Sequence, residues 1–250
     1  MLLLPLASSM NLAWAEESSI SSLNRLVLDS MDEMPKQGGY STSVTANQEL
    51  LHAVTTSAGL LRVDASHAIP SYCSEATYLV FLKVLAHLQQ QGLCPLSQET
   101  LGALRPCGQA DGVGIWGRWN ANGPGTARLF YELNLGPNFS DLRRAEPGDF
   151  LKIFWNDQIG ASEHGHSVIF LGTESRNNIP CLRFWSSNLH EGYGEKSVPL
   201  SRIHRLLFSR LEYPQNINRS FVKNRDSYLS SLERRSSSVI EMESLCGLTR

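Results

Sequence analysis

The segment "IPSYCSEATYLVFLKVL", residues Ile69 to Leu85, is the most informative part of the chain because it predicts one long buried helix. Pro70 is typical of the start of a helix, and Gly92 is typical of its end, so we predict a helix over residues 73–91. Apolar side chains occupy nearly every face of this segment. A helix that is apolar almost all round is buried, and we therefore predict that it is the central helix of the domain.

Several short apolar runs follow this helix along the chain, and residues that favour turns separate them. This alternation of short runs and turns is typical of an antiparallel sheet. A helix followed by such strands predicts an α+β fold in which the central N-terminal helix packs on one face of the sheet. The predicted strands are Phe150–Trp155, Ser167–Leu171, Leu182–Trp185 and Val198–Leu200.

The composition is that of a globular protein and excludes two classes of partner. Of the 250 residues, 42% are hydrophobic and 18% are charged, and the net charge is −2. Nucleic-acid-binding surfaces normally leave a basic excess, so we expect no nucleic acid partner. No stretch after the first residues reaches the roughly 20 apolar residues that a helix needs to cross a bilayer, so we expect no membrane span.

The first 15 residues resemble a secretory leader. Leu2–Ala7 is apolar, and Ala13-Trp14-Ala15 before Glu16 has the small-x-small form of a cleavage site. The basic start of a leader is missing, because no Lys or Arg precedes Arg25. The alternative is an apolar arm packed on the domain. We predict export to the periplasm or the medium.

The remaining chain divides into three parts by composition. Residues 16–46 are rich in Ser, Asp, Glu and Gly and predict a weakly structured segment. Residues 47–213 form the predicted domain, with a helix over 48–61 and a glycine-rich structured loop over 107–137. Residues 214–250 are polar and serine-rich, and predict a weakly ordered tail.

The cysteines and histidines predict neither a disulfide framework nor a metal site. Five cysteines are an odd number without a CxxC pair. Pairing of Cys94 with Cys107 is left open. His164 and His166 form a His-x-His pair, but no convincing third ligand lies nearby, so we expect no metal and no cofactor.

Cys73 is the candidate nucleophile because it lies at the start of the predicted helix. The N–H groups and the dipole of a helix N-terminus stabilise a thiolate, which is the reactive form. His166 begins a predicted strand on the same face as Val168 and Phe170, and that face is expected to pack against the central helix. His166 is therefore the candidate base. The alternatives are a buried thiol and a structural histidine.

A third polar group normally holds a catalytic imidazole in the useful tautomer. The next predicted strand ends in Ser186-Ser187-Asn188, which returns alongside His166 if the two strands are neighbours. An amide oxygen can accept from a ring N–H without adding a charge, so Asn188 is preferred. Ser187 is the alternative.

The order of these segments resembles the papain-like cell-wall cysteine peptidases and amidases, of which the NlpC-type endopeptidases and CHAP amidases are the nearest groups. "EPGDFLKIFW" (Glu146–Trp155) resembles the Pro-Gly-Asp segment that leads into a strand in these families. "GHSVIFLG" resembles their strand that opens with the catalytic histidine. The resemblance covers roughly residues 70–188 and implies a papain-like fold.

The resemblance implies amide-bond hydrolysis through a thioester, most simply in peptidoglycan stem peptides. It assigns Cys73 as nucleophile and His166 as proton carrier. The Cys73 N–H and a second donor, either His67 or Tyr72, would stabilise the oxyanion.

Trp116 and Trp119 are candidates for a sugar- or peptide-binding groove, with packing in the core as an equal alternative. Three other functions stay open on the sequence. They are an inactive module of the same fold that binds cell-wall glycan or peptide, a toxin delivered to competing cells, and an intracellular enzyme acting on an isopeptide.

Overall fold

The computed structural model describes residues 20–219 and 224–248, and within them the fold is mixed α+β with an antiparallel main sheet. The predicted leader over residues 1–15 lies outside the described residues. No helix in the described part of the chain is long and apolar enough to cross a membrane.

Eight α-helices are present in the described ranges. The helices are α1 (Ser22–Asp32), α2 (Val44–Ala53), α3 (Cys73–Gln90), α4 (Gln98–Ala103), α5 (Gly114–Asn120), α6 (Gly125–Leu133), α7 (Ser227–Ser231) and α8 (Val239–Leu245).

Seven of the eleven described strands form one antiparallel sheet in the order β1-β9-β8-β7-β5-β10-β4. The pairs β2–β3 and β6–β11 form separate ribbons. The strands are β1 (Gln37–Gly38), β2 (Val54–Ser57), β3 (Leu60–Val63), β4 (Asn138–Phe139), β5 (Phe150–Phe154), β6 (Ile159–Gly160), β7 (His166–Arg176), β8 (Ile179–Asn188), β9 (Gly192–Pro199), β10 (Arg205–Ser209) and β11 (Ser236–Ser237).

Helix α3 is the predicted central helix, and it packs on one face of the main sheet. Phe81 of the helix meets Phe150 of β5 edge to face, with ring centroids 6.1 Å apart. Ile169 of β7 and Trp185 of β8 belong to the same buried cluster. The α+β class and the helix-on-sheet arrangement predicted from the sequence are therefore confirmed.

The strand face that meets α3 differs from the prediction. Val168 and Phe170 pack into a second cluster, together with Leu151 and Phe184, whereas Ile169 lies in the cluster that contains α3. Because both faces of β7 are apolar, the alternation of side chains does not predict which face the helix covers.

The segment before the domain is ordered from residue 20 onward, which differs from the weak structure predicted for residues 16–46. Val27 and Met31 of α1 are buried in the cluster that contains α3. Ser21 accepts a hydrogen bond from the Asn24 N–H and caps the helix. Polar residues make up about half of α1 and obscured its apolar residues, of which three leucines pack, partly buried, beside Val27 and Met31.

The tail also differs from the prediction over residues 224–248. Leu229 and Leu232, in and directly after α7, are fully buried, as are Met242 of α8 and Cys246 after it. Asp226 and Ser238 cap the two helices through their side chains. In this segment, serine and aspartate residues cap helices and do not indicate a disordered tail.

Two further segments fold differently from their predictions. The predicted helix over 48–61 ends at Ala53, because the β-branched run that follows forms β2, which pairs with β3. The predicted loop over 107–137 contains α5 and α6, whose glycines permit close helix packing. A Cβ at Gly125, for example, would lie 2.1 Å from the Arg118 carbonyl oxygen.

Candidate active site

Cys73 is the first residue of α3, so its backbone N–H has no acceptor within the helix. The carboxyl of Glu75 closes this turn, since its Oε2 accepts the Tyr72 N–H at 3.1 Å. Glu75 is fully buried, and burial raises its pKa to about 9 despite that hydrogen bond. A neutral carboxyl therefore lies beneath the cysteine at pH 7, and it adds no charge that would oppose a thiolate.

The Cys73 thiol is unusually acidic. Burial raises its pKa, but a hydrogen bond and charge from His166, the charge of Lys152 and the Ser167 N–H outweigh burial and lower the pKa to about 6. A thiol with this pKa is mostly thiolate at pH 7. Thiolate is the nucleophilic form of cysteine.

His166 is positioned by a glycine before it and by an aromatic ring beneath it. Gly165 adopts φ +75°, and a Cβ there would lie 2.8 Å from both Lys152 Cε and Phe154 Cε1. The imidazole meets the Phe184 ring edge to face at 5.5 Å. These contacts hold the ring at the start of β7, where it interacts with the Cys73 thiol.

Asn188, the predicted third group, lies beside His166. Its Oδ1 lies 3.4 Å from His166 Nε2, and its Nδ2 donates to the carbonyls of Gly194 at 2.8 Å and Ser186 at 3.2 Å. The two bonds from Nδ2 point the amide oxygen toward the imidazole. If Nε2 carries the proton that Asn188 accepts, Nδ1 is left for the thiol.

Ser187, the alternative third group, has a different partner. Its Oγ donates to the Ser71 carbonyl at 3.0 Å and links β8 to the segment that precedes α3. The structure therefore brings Asn188 and not Ser187 to His166. Ser187 instead holds the strand against the chain that carries Cys73.

The cleft beside Cys73 has a volume of about 280 Å³, and polar side chains line most of it. Tyr72 and His164 both contribute to the lining. The Tyr72 hydroxyl donates to Asn47 Oδ1 at 2.8 Å. Besides these four residues, the lining consists of Tyr40, Thr42, Ser74, Asp111, Asn120, Asn122, Lys152 and Gly165.

Three of the predicted binding residues lie away from this cleft. His67 lines a separate cleft, and its exposed imidazole faces Asp64 with 3.6 Å between Nε2 and Oδ2. Trp116 and Trp119 are buried in the core, where both rings contact Tyr78. His67 is therefore not placed to be an oxyanion donor, and neither indole ring lines a groove.

Tyr40 is a cleft residue that the sequence analysis missed. Burial and the hydrogen bond and charge of Cys73 raise the pKa of its hydroxyl, so it is a proton donor at pH 7. Its segment lies in bridge pairing with Ser71. No local pattern identifies it, because 33 positions, which include a helix and two strands, separate it from Cys73 in the sequence.

Lys152 is the second residue that the sequence analysis missed. It lies in the middle of β5, is 5% exposed, and donates from Nζ to Ser167 Oγ at 3.0 Å. A lysine inside the apolar run "FLKIF" was a signal that could have been used, because lysine is almost never fully buried unless it is paired.

The Pro-Gly-Asp segment acts as a structural anchor for β5. Asp149 is fully buried, and its carboxylate accepts from both Nε and Nη2 of Arg210 at 2.8 Å and from Asn24 Nδ2 at 2.9 Å. Gly148 has φ +95°, and a Cβ there would lie 2.5 Å from the Asn24 carbonyl oxygen. The segment thus ties α1 and β10 to the start of the strand that carries Lys152.

The described residues contain no cluster of three His, Cys, Asp or Glu side chains that could hold a metal. Cys94 and Cys107 are both free; the first is buried and the second is exposed. His164 lines the cleft but has no such set of ligands around it within the described ranges.

Comparison with known proteins gives no relative. No protein-family model, no curated protein and no solved structure matches this chain.

Proposed function

We propose that this protein is a papain-like cysteine hydrolase that cleaves amide bonds through a Cys73–His166–Asn188 triad. The observation that carries the proposal is the acidic thiol at the start of α3, whose pKa is lowered to about 6 by the imidazole that also meets Asn188. A buried structural cysteine has the opposite character, because burial alone raises a thiol pKa. Cys246 is such a case, and its pKa is raised to about 12.

The reaction follows from these positions in two steps. The Cys73 thiolate attacks the amide carbonyl carbon, and the carbonyl oxygen becomes an oxyanion that the Cys73 N–H can bind. The tetrahedral intermediate collapses to a thioester when protonated His166 gives its proton to the leaving nitrogen. His166 then takes a proton from water, the hydroxide attacks the thioester, and Cys73 leaves as thiolate.

Tyr40 is better placed than Tyr72 to be the second donor to the oxyanion. Its hydroxyl lies beside the Cys73 sulfur and stays protonated at neutral pH. The Tyr72 hydroxyl also lines the cleft, but it already donates to Asn47. This assignment replaces His67, which lines another cleft.

The proposed substrate is a peptidoglycan stem peptide, and the proposed location is the periplasm or the medium. Support for the substrate comes from the resemblance of "EPGDFLKIFW" and "GHSVIFLG" to cell-wall hydrolases and from the polar lining of the cleft. Support for the location comes from the leader-like first residues.

The test is hydrolysis of purified muropeptides, with new amines detected by mass spectrometry. We expect cleavage by the unaltered protein and none by Cys73→Ala or His166→Ala. Cys107→Ser is the matched control, because that thiol is exposed and lies outside the cleft. Activity that survives Cys73→Ala refutes the proposal. Muropeptide binding without cleavage by the unaltered protein would support the inactive binding module instead.

A further inference from the structure

We propose that Lys152 binds a carboxylate of the substrate, so that the enzyme selects amides that carry a free carboxylate near the bond it cleaves. This inference rests on the proposed function and specifies its substrate class. It is carried by a buried ammonium group that lines the catalytic cleft and has only part of its hydrogen-bonding capacity used.

Lys152 has unused donors in the cleft. An ammonium group has three N–H donors, and within the described residues Lys152 Nζ has one hydrogen bond, to Ser167 Oγ at 3.0 Å, and no ion pair. The side chain is only 5% exposed, and its aliphatic part packs against Gly165. Burying a cation without a paired anion is costly, so the position calls for an anionic partner.

The carboxylates nearest to Lys152 are not arranged to pair with it. Glu163 uses both oxygens elsewhere, because Oε2 accepts from the Trp155 N–H and Asn156 Nδ2 while Oε1 accepts from the Gly165 N–H. Asp111 accepts the Asn122 N–H at 3.0 Å, and burial raises the pKa of its carboxyl, which disfavours its charged form.

Burial lowers the pKa of Lys152, and the Cys73 thiolate is the main charge that opposes this effect and favours the ammonium form in the resting enzyme. Formation of the thioester removes this negative charge, because the sulfur becomes bonded to the acyl carbon. Lys152 would then lose the charge that most favours its ammonium form. A carboxylate on the bound substrate replaces that charge when it is lost, and so favours the acyl-enzyme over the resting state.

The cleft also offers a neutral donor that suits a carboxylate. Asn120 lines the cleft, and its Oδ1 accepts the Ser74 hydroxyl at 2.6 Å. Since its oxygen is occupied by Ser74, its Nδ2 is the group left to donate toward a ligand. An ammonium and an amide N–H in one cleft match the acceptor-only chemistry of a carboxylate.

The test compares two synthetic stem peptides that differ only in whether the carboxyl next to the scissile amide is free or is a carboxamide. We expect the unaltered enzyme to cleave the free-carboxylate peptide with a kcat/KM at least about tenfold higher, as one charge-assisted hydrogen bond provides. In Lys152→Met this ratio should fall to about one. Lys152→Arg should keep a preference because it keeps the charge. Lys196→Met, at an exposed position on β9, is the matched control.

The ratio separates this inference from the proposed function. Equal kcat/KM values for the two peptides in the unaltered enzyme overturn the inference and leave the hydrolase intact, whatever Lys152→Met does. Lys152→Met that slows both peptides with the ratio preserved also overturns it, since Lys152 would then act only on the thiolate. Cleavage of neither peptide refutes the proposed function and this inference with it. Circular dichroism melts establish that each variant is folded, and calorimetry with Cys73→Ala should show tighter binding of the free-carboxylate peptide.

Discussion

The Asn188 amide oxygen lies 3.4 Å from Nε2 of His166, and the amide nitrogen of the same side chain is held by two backbone carbonyls. This amide therefore cannot turn without losing both bonds. The arrangement favours the tautomer in which His166 Nε2 carries the proton that the amide oxygen accepts.

We predict that Asn188→Ala lowers kcat about 100-fold, because a freely rotating imidazole loses most of the gain from positioned proton transfer. Asn188→Asp should move the alkaline limb of the pH–rate profile to higher pH, since an added carboxylate stabilises the imidazolium. Steady-state kinetics over a pH series measure both effects. Ser187→Ala is the matched control on the same strand, and an equal loss of kcat in that variant would contradict a specific role for Asn188.

The Cys73 thiol should react with iodoacetamide at a rate that rises through a midpoint near pH 6, where its lowered pKa lies. Below this pH the thiol is protonated and the rate should fall. His166→Ala removes the largest favourable interaction with the thiolate and should shift the midpoint upward. The measurement uses Cys107→Ser as background, with peptide mass spectrometry to identify the labelled residue. An unchanged midpoint in His166→Ala would show that the imidazole does not activate this thiol.

Glu75→Gln should change how the free energy of unfolding depends on pH. The pKa of Glu75 is raised from 4.5 to about 9 in the folded protein. Between these values the folded state holds a proton that the unfolded state has lost, so the contribution of Glu75 to stability falls as pH rises, by up to about 1.4 kcal/mol per pH unit. Glutamine keeps an oxygen for the Tyr72 N–H and has no proton to lose.

Urea unfolding at pH 5, 7 and 9 measures this effect. The stability of Glu75→Gln relative to the unaltered protein should increase steadily across the series. Glu195→Gln is the matched control, because it makes the same change at an exposed position on β9. If the free energy of unfolding changed with pH in the same way for Glu75→Gln and the unaltered protein, the carboxyl at position 75 would not stay protonated in the folded state.

Asp149→Asn should destabilise the fold by about 3 kcal/mol, because it leaves the Arg210 guanidinium with an incomplete partner inside the protein. The two Arg210 bonds to this carboxylate are each 2.8 Å long. Chemical denaturation measures the loss. Asp141→Asn, which breaks an exposed pair with Arg143, serves as the control and should leave the midpoint unchanged.

Trp119→Phe tests whether the indole belongs to the core or to a binding groove. The ring stacks on Phe81 with centroids 4.8 Å apart, and its Nε1 donates to Thr77 Oγ1 at 3.2 Å. We expect a loss of about 2 kcal/mol in the free energy of unfolding, from the lost volume and the lost hydrogen bond to Thr77. The KM for muropeptides should not change. A raised KM with unaltered stability would instead indicate that Trp119 contacts the substrate.

The features that arise from local patterns could be predicted from the sequence alone. The apolar run after Pro70 fixed the central helix within one residue of its observed end, and the alternation of apolar runs and turns fixed the antiparallel sheet. Cys73 at a helix start and His166 after Gly165 were identifiable because each has chemistry that depends on its local position.

The distant residues that meet in the cleft could not be predicted from the sequence. Tyr40 and Lys152 reach Cys73 from a segment before α3 and from a strand far beyond it, and no local pattern links them to the thiol. The same holds for the face of β7 that meets α3, since both faces are apolar. The periodicity of a segment shows which of its faces are apolar. Which element packs against each face depends on contacts between residues that are far apart in the sequence.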